Sequence, residues 1–259
     1  MKRVFFSILA AGFMMTAVCN EVSKMTLTTS RDNVQIRLAG SGTVTIDWGD
    51  GSEIITGTLK KYKSRWWHKR EYSYNYANET TRTITITGEN VTHICCDGNQ
   101  LTGLDVSKNT ELISLECRFN KLTDLDVSKN TKLLRLICQG NQLTRLDVSN
   151  NTALTGLDCS FNFLKTLDVS KNSALTRLSY VNNPMIIPYD PYNYVDAVNN
   201  LFETLNSNAG KKIIQISSHS GKEVSYDKSI AEKKGWKVTE IKSEELSSGR
   251  KKIFIPDIV

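Results

Sequence analysis

The segment LTGLDVSKNT begins at residue 101, and LTDLDVSKNT, LTRLDVSNNT and LKTLDVSKNS follow at 122, 143 and 164, a fixed step of 21 residues. A period this short directs the chain to a solenoid. One such unit cannot bury its apolar face alone and has to stack on its neighbours. Between these segments runs a second series of the same grammar: Leu112 to Asn120, Leu133 to Asn141, Leu154 to Asn162 and Leu175 to Asn183. Each turn thus holds two copies of L-x-x-L-x-(hydrophobic)-x-x-N. Half a turn is too short for a helix, so the expectation is two short parallel strands per turn, building two sheets.

Within each copy the leucines, with Val106, Val127, Val148 and Val169, are expected to point inward and stack as the core. Two asparagine ladders, Asn109/130/151/172 and Asn99/120/141/162/183, fall at the bends, where an inward amide can bond backbone groups that a turn leaves unpaired. Cys96, Cys117, Cys138 and Cys159 keep the same step, which ends in Tyr180. Equivalent side chains on in-register parallel strands run parallel, a poor geometry for disulfides, so these cysteines read as buried thiols. A zinc site fits less well, because a ladder spreads its ligands along a line. Cys95 is expected to face outward.

The array from Val91 to Pro184 resembles the bacterial leucine-rich-repeat family with nested 21-residue motifs, the IRREKO type. The resemblance implies surface display and macromolecular recognition without naming a ligand. Before it, residues 20–90 alternate as short strands such as VQIRL, TVTIDW and TRTITITG, predicting a small β-sandwich. TVTIDWGDGS, followed by YSYNY, resembles PKD-like immunoglobulin-fold modules. Asp47 and Asp50 flank its tight turn and read as turn-forming residues in preference to a calcium pair. After Pro184 an amphipathic helix is expected from Tyr194 to Asn206. Strands from Lys212 and Trp236 then flank a helix near Ser229–Lys234, together an α/β C-terminal cap over residues 185–243 that resembles caps of the same repeat family. Residues 244–259 read as an edge strand or tail. The fold class is therefore mainly β: sandwich, solenoid, cap.

Lys2 and Arg3 precede an uncharged run from Val4 to Val18, too short to span a bilayer, which reads as a signal peptide over residues 1–19. Thr16-Ala17-Val18-Cys19 resembles a lipobox, making Cys19 a candidate for lipidation, with ordinary cleavage after Cys19 as the alternative. The formal charge of +6, less Lys2 and Arg3, leaves +4, dispersed too widely to point to nucleic acid. A membrane enters only through the lipid anchor, and the expected localisation is extracellular or at the outer cell surface.

His68, His93 and His219 share neither metal-ligand nor triad spacing, and no phosphate-binding glycine loop is present. The reading is accordingly not an enzyme, with no cofactor and no metal. One outward face is uniform, repeating Asp105, Asp126, Asp147 and Asp168. Local hydrogen bonds account for these aspartates ahead of a cation-binding edge. The other face varies: Ser114, Glu116, Arg118 and Phe119; then Arg135, Ile137 and Gln139; then Asp158 and Phe161; then Arg177. Side chains not needed for stacking are free to recognise a protein or glycan, although drift without function explains the same variation. The basic aromatic stretch from Lys60 to Arg70, with Arg65, Trp66 and Trp67, is a second candidate contact, weighed against a hairpin that merely covers the sandwich. The expected function is a secreted or surface-anchored binding or adhesion protein, the alternative an envelope scaffold or spacer.

Overall fold

The structure, a computed structural model, describes residues 23–61, 70–183, 191–218 and 226–242. The candidate signal segment, Cys19, Arg65, Trp66, Trp67 and the tail after 243 lie outside the described residues.

Five strands open the fold: β1 (Ser23–Thr29), β2 (Asn33–Asp47), β3 (Ile55–Thr58), β4 (Arg70–Asn75) and β5 (Arg82–Cys95). Alternation dictates their faces, with Val34, Ile36, Leu38, Val44 and Ile46 of β2 buried while Asn33, Gln35 and Thr43 are not. β2 pairs antiparallel with β5 from Asp47↔Thr85 to Arg37↔Cys95, with register slips between Ala39 and Gly40 and between Ser41 and Val44. A Cβ at Gly40 would stand 1.9 Å from the Asn90 carbonyl oxygen, so only glycine allows the strands this close. The 15 residues of β2 would span about 50 Å if straight. Yet Tyr76, whose N–H bonds Asp32 O at its start, donates its hydroxyl to Trp48 O just past its end, at 2.7 Å. The buried Trp48 ring also stacks on Tyr74 at 5.1 Å. The strand therefore doubles back on itself. Its WGDG turn is closed as expected, Asp47 and Asp50 accepting from Gly49 and Ser52 N–H.

The repeats stack as β7 (Ser114–Glu116), β8 (Arg135–Ile137), β9 (Gly156–Asp158) and β10 (Arg177–Ser179), parallel and in register at the 21-residue step. This ladder starts on the His93–Cys95 end of β5 and continues through β11 (Lys212–Ser218) and β12 (Trp236–Lys242). The expected second parallel sheet does not form. Of the LDVS segments, the first alone is a strand, β6 (Gly103–Asp105), and it runs antiparallel to β1. The chemistry of the segment explains this. Each aspartate takes the N–H two residues on: Asp105 from Ser107 at 2.9 Å, and Asp126, Asp147 and Asp168 from their serines at 2.8 Å. Two turns follow at once, Asn109 N–H to Val106 O and Leu112 N–H to Asn109 O, repeated in each coil. Donors used locally cannot serve a ladder. Side chains bridge the coils instead: Asn130 Nδ2 donates to Val106 O at 3.0 Å and Asn109 O at 2.8 Å, and Asn151 and Asn172 repeat the pattern.

One apolar cluster runs from Met25 through the stacked leucines and valines to Trp236. Inside it the second asparagine ladder behaves as the repeat requires: Asn120 Oδ1 accepts from Asn99 N and Leu101 N, and Nδ2 donates to Cys96 O and Cys117 O. The four ladder cysteines are free and fully buried, and burial pushes their thiols well above the usual range. Cys96, Cys138 and Cys159 each donate to a carbonyl one coil along, at 3.5–3.6 Å. Tyr180 ends the row, its hydroxyl bonding Leu164 O at 2.7 Å. Beyond it, α1 (Pro191–Thr204) buries Val198, Leu201 and Phe202, and its last turn and the residues after it meet the final coil. Thr204 Oγ1 accepts from Val169 N, and Asn206 Nδ2 donates to Leu175 O. α2 (Lys228–Lys233) lies between β11 and β12 in sequence and packs on β12 and α1, and the buried Lys212 ammonium ties Asn206 O to Lys234 O.

Candidate binding surface

The parallel ladder turns one face to the core and the other outward. Along each strand alternate residues face outward, so stacking the strands aligns His93, Cys95 and Asp97 with Ser114, Glu116 and Arg118, then Arg135 and Ile137, then Asp158, then Arg177. Acidic and basic groups are interspersed along this axis. Arg118 Nη1 lies 2.9 Å from Asp97 and 3.2 Å from Glu116. Burial works against its charge, but the two carboxylates outweigh it and raise its pKa. Asp158 accepts from Ser160 N at 3.1 Å, and Ser160 and Ser179 share a hydroxyl bond at 2.7 Å. Desolvation lifts the Asp158 carboxyl to about 6 against the pull of Ser160, Arg118 and Arg135.

Several of these outward side chains, expected to be free to recognise a partner, are buried in the ladder itself. Glu116 and Asp158 are 2% exposed and Ile137 1%, and Ser114 and Arg135 are also buried. Rungs about 4.8 Å apart press long side chains against one another, and Arg118 pairs with the Glu116 carboxylate there. Arg118, Gln139, Phe161 and Arg177 are half-buried, and Phe119 is 61% exposed. Cys95 leaves the core, as expected, but is buried too, within 4.8 Å of an oxygen of both Asp97 and Glu116. Arg118 already engages both carboxylates. Sequence reasoning missed His93, Cys95 and Asp97 as members of this face, although a step of 21 residues back from Ser114, Glu116 and Arg118 reaches them. A cavity of about 450 Å³ opens where the Gly40–Ser41 bend of β2 approaches β7 and β8. Ile113 and Leu134 supply its apolar lining, and His93, Glu116, Arg135 and Lys61 its polar groups.

The edge where the chain leaves each strand has its own ladder. Gly98, Phe119, Gly140, Phe161 and Asn182 succeed one another at 21-residue steps, all with φ between 52° and 71°. That conformation aims Gly98, Phe119, Gly140 and Phe161 N–H at carbonyls of the next coil, each at 2.8–2.9 Å. Glycine and asparagine suit it, whereas a phenylalanine there carries about 1–2 kcal/mol of strain. On the opposite side the Asp105, Asp126 and Asp147 carboxyls are held below the usual range, first by the backbone N–H of Ser107, Ser128 and Ser149.

Stacked 21-residue coils with leucines inside and one parallel ladder define a leucine-rich-repeat solenoid. No protein-family model matches the sequence, and no curated protein matches it. Among solved structures, the functional domain of InlJ from Listeria monocytogenes, described as including a cysteine ladder, is 35% identical at a TM-score of 0.41. It matches over 55% of this chain, which spans 28% of that one. The leucine-rich-repeat ectodomain of the receptor kinase SOBIR1 from Arabidopsis thaliana is 16% identical, with a TM-score of 0.35, covering 60% of this chain and 72% of that one.

Proposed function

We propose that the chain is a non-catalytic binding module, displayed at or released from a cell surface, that holds a protein or glycan against the outward face and edge of its parallel ladder. The observation that carries this reading is the set of acidic and basic side chains interspersed from Asp97 to Arg177, with Arg118 held between Asp97 and Glu116, on rigid strands beside a cavity lined by both apolar and charged residues. Ion pairs held this way give a partner a charge pattern to match, which favours specificity over bulk affinity. Arg118, Phe119, Gln139, Phe161 and Arg177 are the residues open to contact, with Ser114, Glu116, Arg135, Ile137 and Asp158 as their support; Arg65, Trp66 and Trp67 form a second contact. The bent strands before the ladder serve as a PKD-like sandwich and the helices after it as a cap. Residues 1–19 direct export, with Cys19 lipidated. Saturable binding to a matrix-protein and glycan array, lost on Arg118→Glu, is the expected result. Absence of any saturable binding would favour a passive spacer, and binding that survives reversal of both Arg118 and Arg135 would rule out this face as the site. Palmitate labelling abolished by Cys19→Ala tests the anchor.

A further inference from the structure

All three phenylalanines of the solenoid, Phe119, Phe161 and Phe163, lie outside the core, on the edge where the chain leaves the parallel strand. The core of the same coils is filled by leucine, valine and cysteine. Two of the three occupy the left-handed ladder, at φ 52° and 55°, where the alternate positions are Gly98 and Gly140. Aromatic rings placed against backbone preference and outside the core do not serve stability.

Their positions repeat at the coil period, with Phe119 exposed and Phe161 half-buried. A Cβ on Gly140 would lie 2.6 Å from Phe119 Cδ1, so the Phe119 ring lies down over the glycine of the next coil. With 61% of the residue exposed, the ring is a platform supported from below. Phe161 repeats the position two coils along, about 10 Å away on the axis at the spacing of parallel strands. Polar side chains flank the pair: Arg118 and Gln139 on the ladder, Asn182 on the edge, and Lys121 bonded to Gln100 at 2.8 Å.

We propose that this edge binds an extended β-1,4-linked polysaccharide lying along the solenoid axis, with alternate sugar rings stacked on Phe119 and Phe161. In such a chain successive pyranose rings are turned over, so every second ring offers the same C–H face, at a repeat close to two coils. The apolar sugar face meets the aromatic ring and the equatorial hydroxyls meet the flanking amide and guanidinium groups. The two-coil period of the edge aromatics favours a ligand with an axial repeat of its own over a single compact apolar patch. The inference deepens the binding reading above and rests on it.

The test is affinity electrophoresis and calorimetry of the full chain with cellohexaose and with hexa-N-acetylchitohexaose, using dextran and the corresponding disaccharides as controls. At least one hexamer is expected to bind, ten-fold or more tightly than its disaccharide, which cannot span both rings. Phe119→Asn and Phe161→Asn are each expected to weaken the hexamer at least ten-fold while the far-ultraviolet spectrum is unchanged, because asparagine accepts the left-handed backbone. Absence of binding to both hexamers by the folded protein would overturn the proposal, as would hexamer binding that ignores either substitution. A protein ligand captured by the outward face with no hexamer binding would sink this inference and leave the wider binding reading intact.

Discussion

Asn109 and Asn130 hold the same place in successive coils and are both fully buried, yet they differ in what they bond. Asn130 Nδ2 donates to Val106 O and Asn109 O. Asn109 has no coil before it, and among the described residues neither of its amide atoms has a partner. Neither Oδ1 is bonded, so the pair differs by two donated hydrogen bonds. A buried hydrogen bond contributes about 0.5–1.5 kcal/mol net, so Asn130→Ala should cost about 2 kcal/mol more than Asn109→Ala. In a chain of this size that difference is roughly 4–8 °C in Tm. Position along the array also affects cost in a repeat protein. Val106→Ala and Val127→Ala, taken from the same two coils and both buried, supply that baseline. Urea and thermal unfolding of the four variants, followed by circular dichroism, give the comparison. If the asparagine pair differs by no more than the valine pair, the bridging role assigned to these amides is wrong.

Three further outcomes follow. The folded-state pKa of Asp158 lies at about 6, above its ordinary value of 3.8, so the native state holds the proton more tightly and ionisation opposes folding. Stability from this group therefore falls as pH rises from about 4 to about 6. Asp158→Asn should gain on the parent by on the order of 3 kcal/mol between pH 4 and pH 7.5, and an offset in Tm that does not change with pH contradicts this. Cys96, Cys117, Cys138 and Cys159 should resist a thiol-specific disulfide reagent in the native protein and react on unfolding; fast native labelling mapped to them by mass spectrometry would refute their burial. Gly140→Ala should cost more than the about 1–2 kcal/mol of its left-handed backbone, because the methyl also meets Phe119; adding Phe119→Ala should recover the excess and not the rest.

The inward half of this fold was legible because stacking imposes it. A side chain that faces its own copy one turn away has one environment, so Val106, Cys117 and Asn120 could each be placed from spacing alone. The missing second sheet was written in the sequence too, in Asp105-Val106-Ser107, but aspartate's capture of the Ser107 amide competes with strand pairing and only the three-dimensional result decides between them. Burial of Glu116 and Asp158 was not legible. It depends on neighbours across rungs and on the β2 bend, which period does not encode. The left-handed edge had a signal that could have been read: Gly98 and Gly140 stand two periods apart, with Phe119 midway between them and Asn182 two periods beyond Gly140, and glycine and asparagine share one backbone preference.

Because each coil offers the same donors below and acceptors above, a tandem copy of the two coils 118–159 would meet both neighbours in phase, its asparagines and edge amides finding equivalent carbonyls and each edge phenylalanine again lying against a glycine. Array length is thus a quantity that unequal crossing-over within the gene can lengthen or shorten by pairs of coils without inventing a new contact. The junction with β5 and the bulk of Tyr180 are unlike any coil, and they mark the two places where such copying has to begin and stop.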